Sequence, residues 1–435
     1  MTRTTGRRIC TGFVSSEAVS ARVRGRARDR APADRWITLR RSFIALCAAA
    51  ATSCDEGRTS ASSYAVRDSA GVRIVDNSKG LWDTGSGWQV EFEPALRIGQ
   101  IGGDAAFQFY RIRAVDLAAD GGLIVLDGAS SEVRRYDVRG RHQWSAGKPG
   151  GGPGEFQQPL YIGQQVDGSI LIWDRAAARL TVLDAGGEVV VTERHVPASG
   201  APPNPYGVFP SGALLATFPR SITPPTPGSI LTDTINMWWY DRVTAERRIL
   251  ATAPGPVWVW TGRYQLPVPF TANPLRAVLG NRLVTASGAL AAVAVYDATG
   301  TLTAYYRLPG EATPVAPGDA HRLIEFWTEN GYTGAPATAW QEWLDRMPVP
   351  GERPAFDRLI VSKDGHVWLR QFVIDEDDGP PTWDVVSPDG VYLGTVNTPA
   401  RLELSAVGDG ILAGIYRDED DVEYVHVHAI KALTR

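Results

Sequence analysis

Two consecutive stretches of the sequence repeat one pattern without a gap, and this repeat is the strongest constraint on the fold. The stretches are AVDLAADGGLIVLDGASSEVRRYDVRGRHQW (114–144) and IGQQVDGSILIWDRAAARLTVLDAGGEVVV (162–191). Matching positions lie 47 residues apart, namely Phe109 and Phe156, Asp120 and Asp167, Asp127 and Asp174, and Asp137 and Asp184. A fixed period of this length is typical of architectures built from stacked structural repeats.

Each unit places turn dipeptides between short apolar runs. Asp120-Gly121 and Asp167-Gly168 predict tight turns, since glycine adopts the positive φ that hairpins need. The runs at 123–126 (LIVL) and 170–173 (ILIW) predict short buried strands. Further strands and turns follow in the same order in both units. Four short strands in a unit of this length are typical of a blade in a β-propeller.

Weaker copies of the unit follow along the chain. Each holds a glycine-containing turn and strands in the same order, and the copies span 207–250, 275–308, 356–398 and 402–430. Together with the first two units they make six. The sequence therefore predicts an all-β fold, a six-bladed β-propeller of four-stranded blades over residues 71–435, in one monomeric ring.

Residues 71–98 are expected to close this ring. The segment 95–109 matches 142–156 at the same 47-residue offset, so Ala95–Ile98 corresponds to a fourth strand with no blade before it. The simplest solution is that it completes the last blade, because closure removes exposed strand edges. We expect residues 71–76 (GVRIVD) to add one more strand to that blade.

Residues 317–347 break the strand pattern. Apolar and aromatic side chains recur there at helical spacing, from Leu323 to Met347, with Pro317 suited to a helix start and Gly331 to a helix end. This predicts a small helical insertion between blades four and five. Its aromatic stripe either packs on the propeller as core or forms a lid or docking element over one face.

The first 53 residues read as a leader and signal peptide. An apolar run follows Arg40-Arg41 and ends in the small residues Ala51-Thr52-Ser53 before Cys54. This stretch resembles a lipobox, which implies that Cys54 is acylated, although Ala51 stands where the pattern prefers leucine. The alternative is an ordinary signal peptide, and Arg40-Arg41 fits either a twin-arginine signal or a plain basic region. Residues 54–70 would be a lipidated, flexible tether.

Charge and cysteine content exclude several classes of function. The leader is basic, whereas the remaining 33 basic and 45 acidic residues carry a net charge of −12. An acidic body argues against nucleic acid as a partner, because phosphate recognition needs clustered Lys and Arg. The cysteines are Cys10, Cys47 and Cys54, so the body has no disulfide, thiolate metal site or cysteine nucleophile.

Few residues of the body suggest chemistry, and we expect no cofactor. His426 and His428 would share a face of a strand; a solvated pair is the main interpretation and a metal site the alternative. The acidic runs 375–378 and 418–421 read as solvated hairpin tips, with calcium as the alternative. Asp127 and Asp174 are expected to cap turns. The aromatic segments 237–240 and 258–270 are expected to pack between blades, and 147–154 is a glycine-rich turn.

The motif GGGPGEFQQP, followed by VDGSILIWD and RLTVLDAGGEVV, resembles an NHL-type repeat over roughly 95–195. With DSAGVRIVDN at 68–77, the layout of 64–435 resembles bacterial six-bladed β-propeller lipoproteins of unassigned function. The resemblance implies a cell-envelope protein, anchored in the membrane by its lipid, with the propeller in the periplasm or at the cell surface. We expect a scaffold that binds a protein, peptide or glycan; the alternative is a lyase or hydrolase with a metal in the central channel.

Overall fold

A computed structural model describes residues 62–84, 86–195, 202–219, 225–332, 334–375 and 379–433. Cys54 and the predicted leader lie outside these residues. The predicted tether, residues 54–70, extends too far, because Tyr64–Ser69 already forms a strand. None of the helices in the described ranges is long and apolar enough to cross a membrane.

The N-terminal half of the described chain is built from short strands. Before the repeat lie β1 (Tyr64–Ser69), β2 (Val72–Asn77), β3 (Gly87–Val90) and β4 (Leu96–Ile98). The first sheet holds β5 (Ile112–Leu117), β6 (Leu123–Asp127), β7 (Glu132–Tyr136) and β8 (His142–Ala146). The second holds β9 (Pro159–Gln164), β10 (Ile170–Asp174), β11 (Arg179–Leu183) and β12 (Val189–Arg194). The third holds β13 (Asn204–Val208), β14 (Leu214–Thr217), β15 (Ser229–Tyr240), β16 (Arg247–Trp260) and β17 (Gln265–Pro267).

The C-terminal half continues the pattern around a helical segment. The fourth sheet holds β18 (Pro274–Leu279), β19 (Arg282–Ser287), β20 (Ala292–Tyr296) and β21 (Leu302–Arg307), and α1 (Asp319–Glu329) and α2 (Ala337–Trp343) follow. The fifth holds β22 (Phe356–Val361), β23 (Val367–Gln371), β24 (Thr382–Val386) and β25 (Tyr392–Asn397). The sixth holds β26 (Leu402–Gly408), β27 (Ile411–Arg417) and β28 (Glu423–Leu433). Short 3-10 turns lie at Leu81–Thr84, Ala105–Phe107 and Leu344–Arg346.

The described strands form six sheets whose first strands contact one another in a cycle. Strand β5 contacts β9 and β26, β13 contacts β9 and β18, and β22 contacts β18 and β26. Successive strands within each unit pair antiparallel, from this inner ring outward. Each core lies between two neighbouring sheets; for example, Val115 and Leu117 of the first sheet pack with Ala413 of the sixth. This arrangement is a β-propeller.

The N-terminal strands close the ring. Strand β4 pairs antiparallel with β28, so that Leu96 lies opposite Val427, which is the place the 47-residue offset gives it. Strand β3 pairs with the far end of the same strand, where Val90 lies opposite Ile430. The chain therefore supplies the outer strands of the sixth sheet from a segment more than 300 residues earlier, between Gly87 and Ile98.

The expectation that residues 71–76 join the sixth sheet is wrong. Strand β2 instead pairs parallel with β21, at the outer edge of the fourth sheet, and β1 pairs with β2 beyond it. The physical reason is that β3 and β4 already occupy the free edge of β28. Strand β2 then needs another edge, and β21 provides one two sheets away. The segment between them crosses the outer strand of the fifth sheet, which contacts β3.

The third sheet carries a long hairpin that the sequence did not indicate. Strands β15 and β16 have 12 and 14 residues, where a short pair was expected. The helical segment packs on the end of this hairpin: Val259 and Leu266 form one core with Ile324 and Trp340. The aromatic stripe of α1 and α2 therefore serves as core, which is the first of its two interpretations. The segment 258–270 packs there, against the helices.

Candidate functional site

Polar side chains connect neighbouring inner strands at three junctions of the ring. Most inner strands contain a β-bulge, which breaks the regular alternation of side chains between the two faces of a sheet. The connected junctions are those between sheets one and two, three and four, and five and six. Their contacts are Asp116 with Tyr161, Tyr206 with Arg276, and Arg358 with Glu403.

The junction between sheets five and six holds a chain of ion pairs, which we call the inner charge cluster (Arg358, Glu403, Arg417 and Glu423). Nη1 of Arg358 lies 3.0 Å from Oε1 of Glu403. Nη1 of Arg417 lies 3.3 Å from Oε2 of Glu403, and its Nη2 lies 3.1 Å from Oε1 of Glu423. The backbone N–H of Ile112 donates to Oε2 of Glu423 at 2.7 Å, which extends the cluster to the first sheet.

Opposite charges keep this cluster ionised although it is partly removed from water. Burial alone would raise the pKa of Glu403, but Arg358 and Arg417 outweigh it and hold the pKa below its ordinary value. Burial alone would lower the pKa of Arg417, but Glu403 and Glu423 raise it. The side chains of Arg358, Glu403 and Arg417 remain 31%, 38% and 39% exposed. Solvent therefore reaches both signs of charge.

A second ion pair lies next to the cluster on the fifth sheet. Nε of Arg370 donates to Oδ1 of Asp357 at 2.6 Å, and Nη2 donates to Oδ2 at 3.0 Å. Burial raises the pKa of Asp357, although Arg370 opposes the rise. This bidentate pair fixes the start of β22, the strand that presents Arg358.

At the junction between sheets one and two, the carboxylate of Asp116 connects the inner strands. The hydroxyl of Tyr161 donates to Oδ2 of Asp116. Oδ1 of Asp116 lies 3.0 Å from Nζ of Lys363, which reaches it across β26 from the turn after β22. Burial, together with the neighbouring Asp116 carboxylate, raises the pKa of Tyr161 well above its ordinary value, so the phenol stays a hydrogen-bond donor.

Asp127 and Asp174 cap turns, as the sequence predicts. Oδ1 of Asp127 accepts from the backbone N–H of Ala129 and Ser130, and Oδ2 accepts from Tyr110. Asp174 accepts in the same way from Gln157, in the loop that leads into its own sheet. Both carboxylates are fully buried. Their role is to fix loop geometry in the first two sheets.

The expectation that His426 and His428 are solvated is wrong. Both side chains are buried, and their ring centres lie 5.6 Å apart. Strands β3 and β4 cover β28, so a strand that looks terminal in the sequence is interior in the fold. His426 stacks on Tyr416, with ring centres 4.3 Å apart, and Nδ1 of His428 is hydrogen-bonded to the carbonyl oxygen of Glu91 at 2.8 Å.

The side chains of Glu193, His195 and Tyr240 form a hydrogen-bonded series between sheets two and three, which the sequence did not predict. Nε2 of His195 lies 3.2 Å from Glu193, and Nδ1 lies 3.2 Å from the hydroxyl of Tyr240. Nη1 of Arg242 pairs with the same Glu193 at 3.1 Å. Burial lowers the pKa of His195 and raises that of Tyr240. This series joins two sheets. His195 and Tyr240 are 45 positions apart in the sequence, which is too far for a local motif.

The other candidate residues are dispersed. Asp418 caps the turn at the tip of the β27–β28 hairpin, where its Oδ1 accepts from the N–H of Asp420 and Val422, while 376–378 lie outside the described residues. Among the residues that the structure describes, no three His, Cys, Asp or Glu side chains gather in a way that could hold a metal ion. The glycine-rich turn at 147–154 is closed by Glu155, which accepts from the N–H of Gly152 and pairs with Lys148.

One signal in the sequence points to the inner charge cluster. The first strands of units five and six, FDRLIV (356–361) and LELSAVG (402–408), place Arg358 and Glu403 among apolar residues. The two residues belong to different units, so the pattern of one unit does not reveal the pair.

Comparison with known proteins shows the fold alone. No protein-family model and no curated protein matches the sequence. A member of the DUF4221 family from Bacteroides vulgatus has 10% identity and a TM-score of 0.50, covering 80% of this chain and 99% of that one. A protein described as exported from Bacteroides fragilis has 12% identity and a TM-score of 0.47, covering 83% and 100%. A calcium-binding regucalcin from Agrobacterium tumefaciens has 13% identity and a TM-score of 0.38, covering 77% and 95%.

The strand order and the structural similarity to the DUF4221 protein together show that this is a β-propeller protein.

Proposed function

We propose that this chain is a lipid-anchored, six-bladed propeller of the bacterial cell envelope that binds a ligand at the inner charge cluster. Six sheets and the cyclic contacts of their first strands support six blades, with α1 and α2 as an insertion between the fourth and fifth. NHL-type repeats describe the first two blades. The observation that carries the binding function is the water-accessible set of paired Arg and Glu side chains at the junction between sheets five and six.

The anchor is Cys54, which would be acylated after removal of residues 1–53. The apolar run before it and the small residues 51–53 support cleavage at this position. The first strand begins at Tyr64, so the tether is short and the propeller stays close to the membrane.

Localisation of a Cys54→Ala variant tests the anchor. The full-length wild type is expected in the membrane fraction with a diacylated N-terminal cysteine, and the variant is expected to lose the lipid. The matched control is Cys47→Ala, which removes a cysteine from the apolar run and should leave acylation intact. Mass spectrometry of the processed N-terminus distinguishes the outcomes. A lipid-free wild type, or a variant that keeps the lipid, would overturn the anchor.

The charges of the inner charge cluster favour a peptide with free ends over a glycan. Arg358 and Arg417 offer planar guanidinium groups suited to a carboxylate, and Glu403 offers an acceptor for an ammonium group. A zwitterionic ligand replaces the internal ion pairs without leaving either sign of charge unpaired. A neutral sugar offers hydroxyl groups but no opposite charge, so it could not replace the internal ion pairs charge for charge.

Titration calorimetry with synthetic tetrapeptides tests the ligand class. The wild type should bind peptides with free termini and fail to bind the same peptides acetylated and amidated. Glu403→Gln should weaken binding about tenfold or more, because a charge-assisted hydrogen bond is lost. The control is Glu246→Gln, in the exposed turn between β15 and β16. Equal binding of free and capped peptides, no binding of either, or unchanged affinity in Glu403→Gln would contradict the proposal.

A further inference from the structure

At two of the three connected junctions of the inner ring, the charged side chain has a partner of opposite charge. At the third, between sheets three and four, it does not. Asp116 is matched by Lys363, and Arg358 is matched by Glu403. Between sheets three and four, Arg276 faces Tyr206, and no described carboxylate lies within ion-pair distance of its guanidinium. Within the described part of the chain, this positive charge is therefore partnered by an aromatic side chain and by no acid.

The surroundings of Arg276 explain why this charge is unusual. Its Cζ lies 3.9 Å from the ring centre of Tyr206, and its Nη1 is buried without a hydrogen-bond partner. Burial lowers the pKa of the guanidinium, although Tyr206 opposes this effect. A Cβ at Gly207 would lie 3.0 Å from Cγ2 of Val278, so strands β13 and β18 approach each other closely here. Tyr206 itself is 46% exposed.

Burying part of a guanidinium while one of its N–H groups makes no hydrogen bond costs free energy. Removing a cation from water is unfavourable unless an anion or acceptors replace the water, and contact with an aromatic face offsets only part of this cost. An anion that enters the junction would supply the missing charge and accept from the guanidinium. The exposed part of Tyr206 would give a planar ligand a surface for stacking.

We propose that Arg276 and Tyr206 form a binding site for an organic anion that carries a carboxylate or a phosphate ester beside a planar group. The site lies between the inner strands β13 and β18. It is distinct from the inner charge cluster, whose residues lie on the fifth and sixth sheets. It therefore adds a second recognition element to the ring and does not depend on peptide binding at the first.

Titration of the mature protein with benzoate and phenyl phosphate tests this site, with benzamide and benzyl alcohol as neutral analogues and inorganic phosphate as the anion without a ring. Both aromatic anions should bind, and the neutral analogues should not. Arg276→Gln should weaken anion binding about tenfold or more, and Arg276→Lys should weaken it less, since it keeps the charge. The matched control is Arg248→Gln, whose guanidinium carbon lies 3.7 Å from the ring centre of Trp239 on the outer part of the third sheet.

The outcomes separate this proposal from the peptide site. Loss of benzoate binding in Arg276→Gln but not in Glu403→Gln supports a separate anion site, whatever the tetrapeptides do. Absence of binding by both aromatic anions at millimolar concentration, or equal affinities in wild type and Arg276→Gln, overturns it. If Arg276→Gln fails to fold, Tyr206→Leu replaces it and should weaken the aromatic anions more than inorganic phosphate. Equal weakening of all three would also count against the site.

Discussion

The side chain of Asn77 is hydrogen-bonded to the backbone of Tyr392, and this contact ties the N-terminal segment to the outer strand of the fifth sheet. Oδ1 of Asn77 accepts from the Tyr392 N–H at 2.8 Å. Its Nδ2 donates to the carbonyl oxygen of Arg307 at 2.8 Å and to that of Gly390 at 3.1 Å. One buried amide thus connects three segments, from β2, the fourth sheet and the fifth sheet.

Replacing this amide should destabilise the ring. Asn77→Ala leaves one N–H and two carbonyl groups without their partner in a buried place, so we expect the free energy of unfolding to fall by about 3 kcal/mol. Urea unfolding of the mature protein measures the change. The control is Asn397→Ala, an exposed asparagine whose side chain makes one recorded hydrogen bond, to Thr382, and whose loss should cost under about 1 kcal/mol. Similar losses in both variants would show that the Asn77 contacts contribute little.

Two glycines in Asp-Gly turns, one between β24 and β25 and one between β26 and β27, should respond differently to alanine. Both have positive φ, 86° at Gly390 and 73° at Gly410. A Cβ at Gly390 would collide with the ring of Tyr306 in the fourth sheet, whereas a Cβ at Gly410 meets no atom within 4 Å. Gly410→Ala should therefore cost about 1 kcal/mol for backbone strain, and Gly390→Ala roughly 3 kcal/mol or more, since overpacking adds to the strain. Chemical denaturation of the two variants side by side gives the comparison; equal costs would contradict the role of Tyr306.

These two turns show which features the sequence predicts and which it does not. The Asp-Gly dipeptides and the 47-residue offset predict hairpins, blades and the place of Ala95–Ile98, because these features follow from local backbone preference and from repetition. The collision at Gly390 depends on a residue from another sheet and leaves no trace in the local pattern. The same holds for β2: its apolar alternation predicts a strand but not the edge on which the strand lies.

The inner ring was harder to predict for a related reason. Ion pairs such as Arg358 with Glu403 join strands that are more than 40 residues apart, and the pattern of a single unit contains only one partner of each pair. His428 is hydrogen-bonded to the backbone of Glu91, which is 337 positions away in the sequence. Polar contacts across sheets follow from the way the ring closes, so they become visible only when the sheets are assembled.

Trp340 should hold the helices on the long hairpin. The side chain is 1% exposed and shares a core with Val259 and Leu266. Trp340→Ala should cost about 4 kcal/mol and loosen α1 and α2 before the sheets, because the cavity lies between the helices and the hairpin. Hydrogen exchange should rise over 319–343. The control is Tyr332→Ala, since Tyr332 is 51% exposed in the same segment. Unchanged exchange in Trp340→Ala would show that the helices are held by other contacts.

His426 should make the stability of the protein depend on pH. Burial, with smaller contributions from His428 and Arg97, lowers the pKa of His426 from 6.5 to about 4. The unfolded chain binds a proton at its ordinary pKa near 6.5, and the folded protein does not until about pH 4. Stability from this group is therefore complete above pH 6.5 and is lost as the pH falls from 6.5 towards 4, with a slope of up to about 1.4 kcal/mol per pH unit.

Substitution of this histidine separates its effect from that of other groups. His426→Phe keeps an aromatic ring against Tyr416 and removes the titrating nitrogen, so the slope of unfolding free energy between pH 6.5 and 4.5 should become shallower than in wild type. His428, whose pKa burial also lowers, remains and accounts for part of the residual slope. His321→Gln, on an exposed position of α1, serves as the control for the loss of a histidine outside the core. If His426→Phe and wild type show the same slope in urea titrations across this range, burial of a neutral His426 is not what makes the fold sensitive to acid.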